Sequence, residues 1–143
     1  DHLKSNPKDT AAYVALAELY QNSNKKAEAT RAYEAALKLV PGAAVILNNL
    51  AWLYQGQDNA RALQYAEQAQ KTAPDQPAIL DTLGWILVQQ NQAERGIKYL
   101  QDATSRAPDV PDIRYHYAAA LANQRRSPRV GAGAQWQSEF PGT

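Results

Sequence analysis

The pentapeptides LKSNP (3–7), LKLVP (37–41), QKTAP (70–74) and TSRAP (104–108) decide the fold, because each ends an alanine-rich apolar segment with a proline at a regular interval. The prolines are spaced by 34, 33 and 34 residues. A period of that length marks a repeat array, in which each unit buries its apolar face against its neighbours. Within each interval a short polar stretch, QNSNKK (21–26), QGQDN (55–59) or QQNQ (89–92), divides two amphipathic segments. Every unit therefore reads as helix, turn, helix. Proline suits the boundary because it cannot continue a helix and presets φ for the turn that follows.

The apolar stripes predict how the two helices of a unit meet. Tyr13, Leu16, Ala17 and Tyr20 share one helical face in the first unit, and Ala29, Tyr33 and Ala36 face them from the second helix. Leu47, Leu50, Ala51 and Tyr54 with Ala62, Ala66 and Ala69 repeat the arrangement, as do Leu80, Leu83, Gly84 and Leu87 with Gly96, Leu100 and Ala103. A fourth unit opens with PDIRYHYAAALANQ (111–124), which puts Tyr117, Ala118 and Leu121 in the corresponding places. The tail from Ser127, SPRVGAGAQWQSEFPGT, has no helical stripe where a second helix belongs. It reads as an irregular end, whether native, vector-derived or out of frame with the repeat, and it is expected to form no regular helix.

This pattern resembles the tetratricopeptide repeat family, whose unit is a 34-residue pair of antiparallel helices with a closing proline. The resemblance covers about residues 1–124 and implies an all-α solenoid of antiparallel helix pairs in a right-handed superhelix. The expected organisation is the end of a preceding repeat at 1–9, repeats at 10–43, 44–76 and 77–110, a partial fourth repeat at 111–126, and the tail at 127–143. The second repeat is one residue short in its turn. More narrowly, LNNLAWLY (47–54), ILDTLGWILVQQNQAERGIKYL (79–100) and IRYHYAAALA (113–122) look like bacterial tetratricopeptide proteins of the cell envelope linked to exopolysaccharide export and the exosortase sorting system. That narrower likeness implies an envelope or periplasmic location, and the repeat alone is compatible with a cytoplasmic one.

Composition narrows the chemistry. An apolar share of 45% with 20% charged residues excludes a mainly disordered chain, and a net charge of +1 supplies no field to gather nucleic acid or anionic lipid. With no cysteine there is no thiolate nucleophile and no thiolate metal site. The two histidines, His2 and His116, have no convergent carboxylate and nucleophile in sequence, and His116 reads as a helix-surface residue. GAG (131–133) lacks the third glycine and the preceding strand of a dinucleotide loop, and Arg125, Arg126 and Arg129 fit the expected cations of a helix end. No enzyme, cofactor or metal is expected, nor nucleic acid, nor insertion in a membrane.

Two tryptophans point to a binding role. Trp52 and Trp85 lie 33 residues apart, each directly after the small packing residue of its first helix. That offset turns them by about 100° away from the packing stripe. The family resemblance implies a concave groove lined by Ala11, Val14, Glu18 and Gln21, then Val45, Asn48, Trp52 and Gln55, then Ala78, Asp81, Trp85 and Val88, then Asp112, Tyr115, Ala119 and Ala122. The expected partner site comprises Asn48, Asn49, Trp52, Gln55, Asp81, Trp85, Val88 and Tyr115, with the indoles as anchors for a peptide or partner helix and the amides reading its backbone. The competing account is that both indoles cover the seam between repeats, and the two accounts are compatible. The basic clamp with which some family members hold a C-terminal carboxylate is missing, since Val14, Glu18, Ala78 and Thr82 occupy its places. A second functional reading is assembly, in which open repeat ends stack on other repeats or on a second copy.

Overall fold

The computed structural model describes residues 9–126. Along them run α1 (Thr10–Asn22), α2 (Lys26–Leu39), α3 (Ala44–Tyr54), α4 (Asn59–Thr72), α5 (Pro77–Gln89), α6 (Ala93–Arg106) and α7 (Pro111–Arg126), with no strand among the described residues. The last turn of a preceding repeat, read at 1–9, lies outside these residues except for Asp9, and the tail expectation lies outside them entirely.

The helix ends follow from local chemistry. Asp9 caps α1 by accepting from the Ala12 amide at 3.0 Å, and Asp58 caps α4 by accepting from the Arg61 amide at 3.1 Å. Pro77 sits in the first turn of α5, where its missing N–H costs nothing. At the other end, Val40, Ala73 and Ala107 each donate the last helical bond, to Ala36, Ala69 and Ala103. The next residue is Pro41, Pro74 or Pro108, so the ladder stops there. Inside the pairs, Asn24, Gly56 and Asn91 adopt positive φ and close the first helix. In the second pair the missing residue falls on the helix and not on the turn: α3 has 11 residues where α1 and α5 have 13, and Gly56 at φ 89° turns the chain in a connection, 55–58, that is one residue longer than those at 23–25 and 90–92.

Each helix packs on its sequence neighbours, and α5 also touches α3 and α7. Of the stripes read within each pair, Ala17 packs with Ala29, Tyr33 and Ala36, and Ala51 with Ala62 and Ala66, while Leu50 joins the first of these clusters and Leu83 and Leu87 the second; Tyr13, Leu16, Tyr20 and Tyr54 are half-buried. The third pair is the closest. A methyl group added to Gly84 would lie 2.8 Å from the Gly96 carbonyl oxygen, and one added to Gly96 would lie 2.5 Å from the Gly84 carbonyl oxygen.

A second face joins successive pairs. Ile46 and Leu53 pack on Ala32, Tyr33 and Ala36 of α2, Ile86 packs on Ala62 and Ala66 of α4, and Ile113 packs on Leu80 and Ala103. This changes the reading of α7: the residues it buries are Ile113 and Ala120, while Ala118 is exposed and Tyr117 and Leu121 are half-buried. Ala118 has the position of Gly84 in the third unit, which α6 covers there, and no described helix follows α7 to cover it.

Candidate functional site

The first helices of successive units, α1, α3, α5 and α7, carry the expected groove residues. On α3, Asn48 and Trp52 have the i, i+4 spacing of one face, with Gln55 following at the C-cap, and Asp81 and Trp85 have the same spacing on α5. The structure joins these rows through three residues that occupy one place in the period. Asn49, Thr82 and His116 are separated by 33 and 34 residues, and each takes a contact from the unit before it.

The three contacts differ in kind. Asn49 Nδ2 donates to the Tyr33 hydroxyl at 3.2 Å, and that hydroxyl donates to Gln21 Oε1 at 3.1 Å. Asn49 is thereby tied to Tyr33 of α2 and through it to Gln21 at the end of α1. Thr82 Oγ1 accepts from Trp52 Nε1 at 2.8 Å while donating to the Ala78 carbonyl at 2.9 Å. His116 stacks on Trp85 with centroids 4.5 Å apart and lies 5.9 Å from Trp52, so its ring bridges the two indoles. Its Nδ1 is 2.8 Å from Asp81 Oδ1, which fixes a proton on that nitrogen when the carboxylate is charged.

His116 is therefore not a surface residue: its side chain is 17% exposed and that of Asp81 10%. The period carried the signal that sequence reading missed, because a polar residue already stood at the equivalent places, Asn49 and Thr82. Burial pushes the Asp81 carboxyl above its ordinary range, the His116 hydrogen bond and charge pull it back, and the nearby Asp112 charge raises it further.

The remaining expected residues divide. Trp52 and Trp85 are half-buried and do cover the seam between units. Tyr115 is 67% exposed, with its ring 5.9 Å from His116, and Val45 is 68% exposed at the start of α3. Val88 turns inward and packs with Leu100 and Ala120, because the glycine at 96 lets α6 approach its side chain. Asn48 and Gln55 each hold a buried side-chain oxygen with no hydrogen-bond partner. A cavity of about 850 Å³ lies elsewhere, along α2 with Tyr13, Glu34, Lys38 and Tyr65 in its wall, and shares no residue with the aromatic cluster. Among the described residues no three His, Asp or Glu side chains group to hold a metal, and no helix is long and apolar enough to cross a membrane.

Comparisons with known proteins agree with this architecture. Two family models described as tetratricopeptide repeat match residues 14–77 and 53–123. A search of curated proteins finds no match. Among solved structures, a mutant O-GlcNAc transferase of Thermobaculum terrenum is 26% identical with a TM-score of 0.75, over 78% of this chain and 22% of that one. YrrB, described as a TPR protein with an unusual peptide-binding site, is 24% identical with a TM-score of 0.73, over 86% of this chain and 64% of that one. PilF of Pseudomonas aeruginosa is 22% identical with a TM-score of 0.74, over 87% of this chain and 57% of that one. The chain thus spans between about a fifth and two thirds of the length of these structures.

Proposed function

The chain belongs to the tetratricopeptide repeat family, and on that premise we propose that it is a non-catalytic scaffold that holds a peptide or partner helix against the face formed by α3, α5 and α7. The observation that carries this reading is the cluster in which the rings of Trp52, Trp85 and the well-exposed Tyr115 each lie against His116, joining three successive first helices. Aromatic side chains held rigid by packing lose little entropy on binding, and such residues dominate binding energy at protein interfaces. YrrB, similar in fold, is described as having a peptide-binding site, which is consistent with a role of this class. Peptides selected by display against the chain provide the test. Trp52→Ala or Trp85→Ala lowers their affinity by about 1–3 kcal/mol with the helical signal in circular dichroism retained. Undiminished affinity in the double variant removes the anchors from the account.

Assembly is the second reading, and Leu19 favours it. Leu19 is 61% exposed, whereas the residues at the same place in later units, Leu53, Ile86 and Ala120, are 4%, 0% and 0% exposed because a preceding pair covers them. A further repeat or a second copy would cover Leu19 in the same manner. The likeness of segments 47–54, 79–100 and 113–122 to envelope proteins extends the scaffold reading to exopolysaccharide export. Disruption of the gene with loss of surface polysaccharide supports that extension, and unchanged export removes it.

A further inference from the structure

Charge is distributed unequally between the two rows of helices. The second helices α2, α4 and α6 each carry both basic and acidic residues. The first helices α1, α3 and α5 carry no lysine or arginine at all, and their charged residues are Glu18 and Asp81. On α7 the residues in the groove stripe are Asp112, Tyr115, Ala119 and Ala122, so the acid comes first and Tyr115 stands one turn beyond it. Asp112 is near enough for its charge to act on Asp81. α7 also carries Arg114, Arg125 and Arg126, which lie outside that stripe, so the charged residues at the groove positions themselves are Glu18, Asp81 and Asp112.

Asp81 uses Oδ1 on His116, and its buried carboxylate is poorly compensated by solvent. A ligand that brings positive charge is attracted by Glu18, Asp81 and Asp112, whereas one that brings carboxylates is repelled by them. Tyr115 adds a broad ring face open to solvent, on which a guanidinium can stack. The same chemistry occurs elsewhere in the chain, where the Arg61 guanidinium of α4 lies 5.2 Å from the ring centroid of Tyr54 at the end of α3.

Resting on the docking reading above, we infer that the partner segment is basic and seats an arginine over Tyr115, between Asp112 and the Asp81–His116 pair. The arginine supplies planar donors to the Asp112 carboxylate, the tyrosine ring covers its apolar face, and the buried Asp81 beneath contributes attraction through low-dielectric surroundings. Protonating His116 places a second cation beside Asp81 and opposes the arginine.

The test uses three blocked peptides of alternating alanine with arginine, glutamine or glutamate, titrated into the chain while the indole N–H resonances of Trp52 and Trp85 are followed. The arginine peptide is expected to shift Trp85 and to bind more weakly as salt is raised. Asp112→Asn and, separately, Tyr115→Ala are each expected to lower its affinity about tenfold, since both residues are exposed and the fold does not rest on them. Equal binding of the glutamine and arginine peptides, with the same indole shifted, overturns the basic-partner inference and leaves groove docking standing. Unchanged arginine-peptide affinity in both variants also overturns it. Tighter binding of the glutamate peptide overturns it most directly. If display-selected peptides also fail to move either indole, the docking reading falls as well.

Discussion

His116 on α7 and Asp81 on α5 meet at 2.8 Å, thirty-five residues apart in sequence, and this contact ties the fourth unit to the third at the point where Trp85 stacks on the imidazole. The pair sets the orientation of the ring that joins the two tryptophan-bearing helices. Its replacement separates orientation from packing. His116→Phe keeps an aromatic plate between the indoles and removes the donor to Asp81, leaving a buried carboxylate without its partner. It is expected to cost about 1–3 kcal/mol in urea unfolding, and combining it with Asp81→Leu recovers part of that loss. Full additivity of the two changes contradicts direct coupling.

Asp81 also makes stability depend on pH. Its carboxyl titrates above the ordinary range in the folded chain, because burial disfavours the charge, so the folded state binds this proton more tightly than the unfolded state does. The contribution is therefore complete below the unfolded value, near pH ~4, and is lost as pH rises through the raised folded value. Measured from about pH 4 upward, urea midpoints of the natural chain fall relative to those of Asp81→Asn. Parallel curves for the two proteins over that window remove Asp81 as the cause.

The Gly84–Gly96 crossing predicts a sharp dependence on side-chain size. A methyl at Gly96 meets the Gly84 carbonyl oxygen at 2.5 Å and Val88 Cγ2 at 2.8 Å, so Gly96→Ala is expected to cost about 1–3 kcal/mol despite the better helix propensity of alanine. Gly84→Ala meets backbone and Leu100 at 2.8 Å and behaves similarly. Gly42→Ala, with nothing within 4 Å, is the control and stays within about 0.5 kcal/mol. Equal effects at 42 and 96 in chemical unfolding contradict the close crossing.

Much of this architecture is legible in sequence because a repeat states its rules several times. The proline period and the alanine and leucine stripes identify the pairs, since the same small residues recur at places where helices must approach. The face between pairs is harder to read. Ile46, Ile79 and Ile113 recur as regularly as the stripe residues, yet only the stacking of one pair on the next explains their burial. Without a described second helix over α7, a stripe transferred from earlier units also assigns Ala118 to the core, where the structure exposes it. The site shows the same division. Spacing brings Trp52 and Trp85 to one face, but the hydrogen bond of the first to Thr82 and the stacking of the second on His116 depend on the offset between helices of different units, which no single helix encodes.

On the assembly reading, the exposure of Leu19 predicts association through that residue. Leu19→Lys places a charge where Leu53 and Ile86 are buried in later units, and it is expected to abolish self-association seen by sedimentation at high concentration without altering helicity. A natural chain that stays monomeric throughout the concentration range contradicts an assembly role for that edge.

The most direct test of the scaffold account is a chemical-shift map of the labelled chain with a display-selected peptide. The account predicts perturbations concentrated along Trp52, Asp81, Trp85, Tyr115 and His116 on α3, α5 and α7, with α2, α4 and α6 little changed. Perturbations confined to the second helices, with both indole N–H signals unmoved at saturation, would contradict it.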